Sequence, residues 1–213
     1  MNIISDVGGQ FDALLRLVKK MPSEPLLFVG DLVDRGPKSK EVVDFVMDNG
    51  HRCLLGNHEH MMIDYQYGCE YYGPECWLAN GGGATLYSYG GFVPAYIVNY
   101  LERLPRYMVL AGDHQETVLV THAFGPEGRT LEEAQDMGTG AYDSDETILW
   151  NREPPVFRWN DYDLQIAGHN SYMGLRRFLR GGKPYGICLD DSRHGRLTGY
   201  HLPTDTVYQE AFP

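Results

Sequence analysis

The stretch IISDVGGQFDALLRLVKKMPSEPLLFVGDLVDRG, Ile3–Gly36, decides the fold of this chain. Apolar runs at Ile3–Val7 and Leu26–Val29 each end in a polar or glycine cluster, as buried strands do. Between them Leu14, Leu15, Leu17 and Val18 recur with the period of a helix face. Downstream the alternation continues: Val42, Val43, Phe45 and Val46 mark a second helix closed by Asn49-Gly50, and Cys53–Leu55 marks a third strand. A βαβαβ opening of this kind predicts an α/β fold, with layered sheets, parallel pairing and flanking helices.

Later strands are predicted at Val118–Thr121, Leu164–Ala167 and Tyr185–Leu189. Arg196–Leu202 and Thr206–Phe212 alternate as a closing hairpin around Pro203-Thr204-Asp205. Residues 59–112 read as a mainly helical or irregular cap-like region within a single domain spanning 1–213. Residues 125–163, with Pro126, Pro154 and Pro155, read as a long surface connection. The apolar segment Val93–Leu104 suits either internal packing or a partner surface.

The chain has 213 residues and a formal net charge of −11, which disfavours a general nucleic-acid binder. With 43% hydrophobic and 22% charged residues, its composition is that of a globular protein rather than a disordered one. No run is long and apolar enough for a membrane helix, and the start lacks a basic segment followed by an apolar one, so a cytoplasmic protein is expected. Cys53, Cys69, Cys76 and Cys188 form no metal-type pairs and are expected to be reduced thiols, although Cys69 and Cys76 are close enough in sequence to bridge.

Polar residues recur where the strands end: Asp6, Asp31, then Asn57 and His58, then His122, then His169. In open α/β sheets ligands bind at the carboxyl ends of strands, so five segments would bring carboxylate, amide and imidazole groups to one place. Singly, each is more readily a helix cap, a turn or a hydrogen-bonded core residue. Together they suit a metal site, and the mixed oxygen and nitrogen set suits Mn²⁺, Fe or Zn²⁺ better than Ca²⁺.

The ordered run Asp6, Gly30-Asp31-Leu32-Val33-Asp34-Arg35-Gly36, Gly56-Asn57-His58-Glu59, Thr121-His122-Ala123 and Gly168-His169 resembles the calcineurin-like metallophosphoesterases, and within them the phosphoprotein phosphatase family. Trp77–Gly82 and Leu149–Arg152 also look like segments of the short bacterial and bacteriophage lambda-type serine/threonine phosphatases. The resemblance implies a metallophosphoesterase-type fold, a setting in a bacterial or phage-infected cell, and two divalent ions, with Mn²⁺ the first choice. Asp31 would bridge the ions, Asp6 would serve the first, and Asn57, His122 and His169 would complete the second. A hydroxide activated by the two metals would attack phosphorus. Arg35 and Arg152, together with Asn57, would contact the phosphate, and His58 would be the general acid with Asp34 orienting its imidazole.

One departure concerns the metals. The family's first motif is Asp-x-His-Gly with the histidine a ligand, whereas this chain reads Asp6-Val7-Gly8-Gly9, so Gly8 occupies the missing ligand position and the first site is weakened. Three accounts stand: a ligand removed by design or recent loss, a natural replacement by water or a neighbouring group, or a protein that binds phosphoryl groups without turnover. His51, His60, His114, His194 and His201 are the other imidazoles, with no physical basis for preferring one. Asp190-Asp191 serves equally as support for the site or as a turn. Leu55 stands where many eukaryotic relatives carry a phosphate-contacting arginine.

The expected activity is metal-dependent phosphomonoester hydrolysis on a phosphorylated protein or small phosphoester, by a serine/threonine or dual-specificity phosphatase impaired at Gly8. The alternatives are a diadenosine tetraphosphate hydrolase and, in another class, a weakly catalytic phosphate-binding pseudophosphatase.

Overall fold

The computed structural model describes residues 1–68, 72–112, 116–135 and 147–213; Cys69 and His114 lie outside the described residues. The opening runs β1 (Asn2–Ile4), α1 (Phe11–Lys20), β2 (Leu26–Phe28), α2 (Ser39–Asp48) and β3 (Arg52–Cys53). β1 pairs parallel with β2, with Ile3 opposite Leu27, and β2 pairs parallel with β3, as the βαβαβ pattern requires. α3 (Asn57–Tyr67), α4 (Gly73–Trp77), a π-turn segment (Leu78–Gly82), α5 (Gly83–Ser88) and α6 (Ala95–Glu102) follow. Next come β4 (Tyr107–Ala111), β5 (Thr117–Thr121), α7 (Leu131–Gln135), β6 (Leu164–Ala167), β7 (Arg176–Arg180), β8 (Lys183–Cys188), β9 (Arg196–His201) and β10 (Thr206–Ala211).

Among the described residues these strands form two five-stranded mixed sheets, ordered β10-β9-β1-β2-β3 and β4-β5-β6-β8-β7. Side chains alternate across a strand, so β1 and β2 face two ways at once. Ile3, Leu27 and Val29 meet Val118, Val120, Ile166 and Ile187 of the second sheet in the layer between the sheets. Ile4, Leu26 and Phe28 face the opposite way, packing with Leu14 and Leu17 of α1, Val42 and Val46 of α2, and Ile97 and Leu101 of α6. Burying each such aliphatic side chain contributes about 1.5–3 kcal/mol. The Val93–Leu104 segment therefore packs into its own core through Ile97, Val98 and Leu101.

Three expectations need correction. The helical region ends at Glu102, and Tyr107–Ala111 is an edge strand paired antiparallel with β5 rather than part of a cap. Its residues are only half-buried, which leaves little hydrophobic contrast to read in sequence. β7 was likewise not expected, because Arg176-Arg177-Phe178-Leu179-Arg180 is too charged to resemble a buried strand, yet it lies at the edge beyond β8. The 125–163 connection is not confined to the surface: Ile148, Leu149, Trp150 and Trp159 are all buried, and Ile148 and Trp159 cover Leu119 of β5. Cys53 and Cys188 are free thiols, and Cys76 Sγ donates to Met61 Sδ at 3.7 Å.

Candidate metal and phosphoryl site

Each expected metal ligand sits just beyond a strand. Asp6, Asp31 and Asn57 follow β1, β2 and β3 of the first sheet, while His122 and His169 follow β5 and β6 of the second. The loops are sharply turned. Asp31, Asp34, Arg35 and His169 have φ of 51°, 74°, 64° and 62°, left-handed values that cost a side-chain-bearing residue energy and cluster where function needs them.

Ligand atoms of Asp6, Asp31 and His122, all buried, lie within 4.8 Å of one another. His122 Nδ1 donates to the Val29 carbonyl at 2.9 Å, and His169 Nε2 donates to the Trp150 carbonyl at 3.2 Å. That fixes the tautomers: the lone pairs of His122 Nε2 and His169 Nδ1 then both face Asn57 Oδ1, at 2.8 and 3.1 Å. Three acceptors converge with no proton to share, and the Asp31 carboxylate stands 3.4 Å from His122 Nε2. A divalent cation resolves that arrangement, so the donors fit the ions that the sequence implies.

The charges agree. Burial, then the carboxylates of Asp190 and Asp31, hold the Asp6 carboxyl well above its usual range. Burial also pushes Asp31 up, but the imidazoles of His122 and His58 outweigh it and bring Asp31 to about 2. Burial pushes His122 down and His169 well down, keeping both neutral and able to ligate. A cluster of buried carboxylates beside neutral imidazoles is short of positive charge.

Beside it stands a second group. Asp34, fully buried, accepts from His58 Nδ1 at 2.6 Å, from Thr85 Oγ1 at 2.6 Å and from Trp77 Nε1 at 3.0 Å. Arg35 Nη2 donates to His58 Nε2 at 2.8 Å. Burial works against the charged form of His58, but Asp31 and Asp34 outweigh it and raise its pKa. Arg35, His58, Asp6, Asp31 and Gly8 line one pocket, so the guanidinium and imidazole open onto the carboxylates. Arg152 is exposed and does not line that pocket, but its charge reaches His169.

Gly8 has φ of +52°, and a Cβ there would meet only the Asp34 carbonyl oxygen, at 3.5 Å. Of the imidazoles considered as replacements, the four among the described residues are engaged elsewhere. His60 Nδ1 is bound to the Tyr72 hydroxyl, His194 to Asp191, and His201 to Glu24 and Thr204, while His51 lies against Phe28 and Phe45.

The sequence marks Glu59 only as the last residue of Gly56-Asn57-His58-Glu59 and assigns it no role. Its carboxylate accepts the backbone N–H of Asp31 at 2.7 Å, Leu32 at 2.7 Å, Val33 at 3.2 Å and Gly56 at 3.0 Å, tying the β2 loop to the start of α3. Asp190 is buried and its charge acts on Asp6, which puts it with the site; Asp191 pairs instead with His194 and Arg196. An acidic residue closing a strand was the available signal for Asp190.

Residues 2–172 match the family described as calcineurin-like phosphoesterase. Serine/threonine-protein phosphatase 1 of Salmonella typhimurium is 31% identical over 84 residues, covering 38% of this chain and 38% of that protein. A symmetrical bis(5'-nucleosyl)-tetraphosphatase of Buchnera aphidicola is 32% identical over 126 residues, covering 56% of this chain and 42% of that one. The matched stretches thus span about two fifths of the length of these curated relatives. A protein serine/threonine phosphatase of Saccharomyces cerevisiae superposes with a TM-score of 0.61 at 20% identity, covering 99% of this chain and 78% of that one, a likeness of fold. With the family matched across most of its length and the donor set gathered at the strand ends, the chain belongs to the calcineurin-like phosphoesterases.

Proposed function

We propose that this chain hydrolyses phosphoesters with the help of two divalent ions, Mn²⁺ the first choice, held by Asp6 and Asp31 on one side and by Asp31, Asn57, His122 and His169 on the other. The observation that carries this reading is the pocket in which Arg35 and His58 open onto Asp6 and Asp31. Two ions, when bound, supply Lewis-acid charge and lower the pKa of a water for in-line attack on phosphorus.

The chain's own residues do the rest. The forked Arg35 donors bind phosphoryl oxygens, assisted by Asn57 and Arg152. In drawing Arg35 onto the phosphate, the substrate releases His58 Nε2, which is then turned toward the leaving oxygen. Freed from Arg35, the Nε2 lone pair takes up a proton from solvent, and His58 passes that proton to the leaving oxygen as the phosphorus–oxygen bond breaks, while Asp34 holds the opposite N–H and stabilises the charged imidazole. Gly8 leaves the first ion with fewer protein ligands and slows the reaction.

The substrate we favour is a phosphorylated serine or threonine of a protein. A second reading, hydrolysis of a dinucleoside polyphosphate, is favoured equally by the name of the Buchnera relative. A phosphate-binding protein without turnover is the remaining reading. The bacterial relatives accord with a cytoplasmic setting. Mn²⁺-dependent hydrolysis of p-nitrophenyl phosphate, beside Gly8→His and with bound metal determined on both, tests the proposal. Slow turnover that rises in the variant supports it. No turnover in either protein with metal bound overturns the phosphomonoesterase reading in favour of the dinucleotide substrate or of binding alone.

A further inference from the structure

A second pocket opens beside the first. Arg35, Asn80, Gly81, Ser192 and Arg193 line it, and it shares Arg35 and Ser192 with the pocket over Asp6 and Asp31. The two are therefore neighbours through the residue assigned to the phosphate.

The chain is built to bring these groups together. Gly81, at φ +108°, accepts the Arg35 backbone N–H at 3.3 Å, and a Cβ there would stand 3.0 Å from both the nitrogen and Cγ of Arg35, so only glycine allows this approach. On the other wall, Ser192 N–H donates to Asp190 Oδ1 at 2.7 Å and Arg193 N–H donates to Ser171 Oγ at 3.1 Å, which pin the turn carrying Arg193. The acids next to Arg193 in sequence are engaged elsewhere. Asp190 takes the Ser192 N–H, while Asp191 pairs with His194 at 2.9 Å and Arg196 at 3.6 Å. Among the described residues no carboxylate pairs with the Arg193 guanidinium. In a chain of net charge −11, an exposed arginine with no carboxylate partner on the lining of this pocket is available to an anion from outside.

We propose that Arg193, with Arg35 and Asn80, forms a subsite for a second phosphoryl group joined directly to the one that is cleaved. This rests on the phosphoester-hydrolase reading and moves its substrate from the phosphorylated serine or threonine favoured above to the second reading's class, esters with a di- or polyphosphate chain. The next phosphorus of such a chain is one bridging oxygen from the first, which matches two pockets that share Arg35 and Ser192. A carboxylate elsewhere in a phosphopeptide is separated by several backbone bonds and would not fill both pockets together. Arg193 acts here as a specificity residue that contacts the leaving group, while Arg35 spans both phosphoryl groups.

The test is binding of orthophosphate and of pyrophosphate by calorimetry, with Mn²⁺ in excess over the anion, to the wild type and to Arg193→Ala. Arg180→Ala, whose guanidinium stacks on Phe157 at 4.2 Å, controls for the loss of one charge. The wild type and the control should prefer pyrophosphate. Arg193→Ala should bind orthophosphate unchanged and lose about tenfold or more in pyrophosphate affinity, the scale of one charge-assisted hydrogen bond. An unchanged pyrophosphate affinity in Arg193→Ala, or an equal loss in Arg180→Ala, overturns the subsite. Hydrolysis of p-nitrophenyl phosphate and of a dinucleoside polyphosphate, measured alongside, separates the two proposals: absence of both removes the hydrolase reading and leaves the binding result to stand or fall by itself.

Discussion

Arg35 Nη2 and Asp34 Oδ2 hold opposite edges of the His58 imidazole, at 2.8 and 2.6 Å. The ring is thereby fixed with Nδ1 donating to Asp34, and its other nitrogen is engaged by the group assigned to the phosphate. General acid catalysis matters most when the leaving group is poor. His58→Ala should therefore lower kcat on an alkyl phosphate by about 10²–10⁴-fold and affect p-nitrophenyl phosphate far less. Equal losses on both substrates would assign His58 to binding instead.

Asp34→Ala should cost stability as well as rate. It strands the Trp77 N–H and the His58 Nδ1–H, both on buried residues and both donating to this carboxylate, while the Thr85 hydroxyl keeps Ser39 Oγ at 3.0 Å. Leaving two such donors unmet costs about 2–4 kcal/mol. Urea unfolding in the presence of a chelator, which removes any contribution of bound metal, reads this loss directly.

Gly8→His should raise metal affinity at a small cost in stability. The space exists, since a Cβ at position 8 approaches only the Asp34 carbonyl oxygen, at 3.5 Å. The backbone is the obstacle: φ of +52° costs a residue with a side chain about 1–2 kcal/mol. Tighter Mn²⁺ binding by calorimetry with a slightly lower Tm under chelation is the expected pair of results, and unchanged metal affinity contradicts it.

Glu59→Gln should loosen the metal site without touching a ligand. Burial, and then the Asp31 charge, raise the Glu59 pKa to about 7, against four backbone N–H groups that favour its ionised form. A glutamine keeps one acceptor oxygen and turns an NH₂ toward the remaining N–H donors. We expect a loss of about 2–4 kcal/mol in folding stability and weaker Mn²⁺ binding, both measured on the purified variant.

Metal should stabilise the fold. Asp6, Asp31 and Asp190 are buried together, and their mutual repulsion is relieved by a cation. A ligand at about 100 times its Kd stabilises the native state by ~2.7 kcal/mol. For a chain of this size that is a rise in Tm of about 5 °C or more, reversed by a chelator. A Tm indifferent to Mn²⁺ would show that the donor set does not take up the ion.

Much of this was legible in sequence because the parallel strands are short apolar runs, each closed by its functional residue. Ile3–Val7, Leu26–Val29 and Leu164–Ala167 are buried on both sides, so their patterns survive whatever the neighbours do. The edge strands β4 and β7 were not legible, since half-buried Tyr107–Ala111 and charged Arg176–Arg180 take their place from pairing with β5 and β8 rather than from hydrophobic contrast. Within the site, groups that act through their own chemistry stood out: His58, His122, His169, Asp6 and Asp31. Trp77, Thr85 and Glu59 act by holding others, over separations of 43, 51 and 28 residues from their partners, and no local pattern marks such contacts.

The donors come from both sheets, and His122 reaches across to the Val29 carbonyl while the His169 backbone N–H reaches Asp6. An ion shared among them is consequently a rivet between two slabs that are otherwise joined largely by greasy, non-directional packing. Sliding one slab over the other by a single residue would pull the rivet apart, so the register of the sandwich and the ability to hold metal rise and fall together.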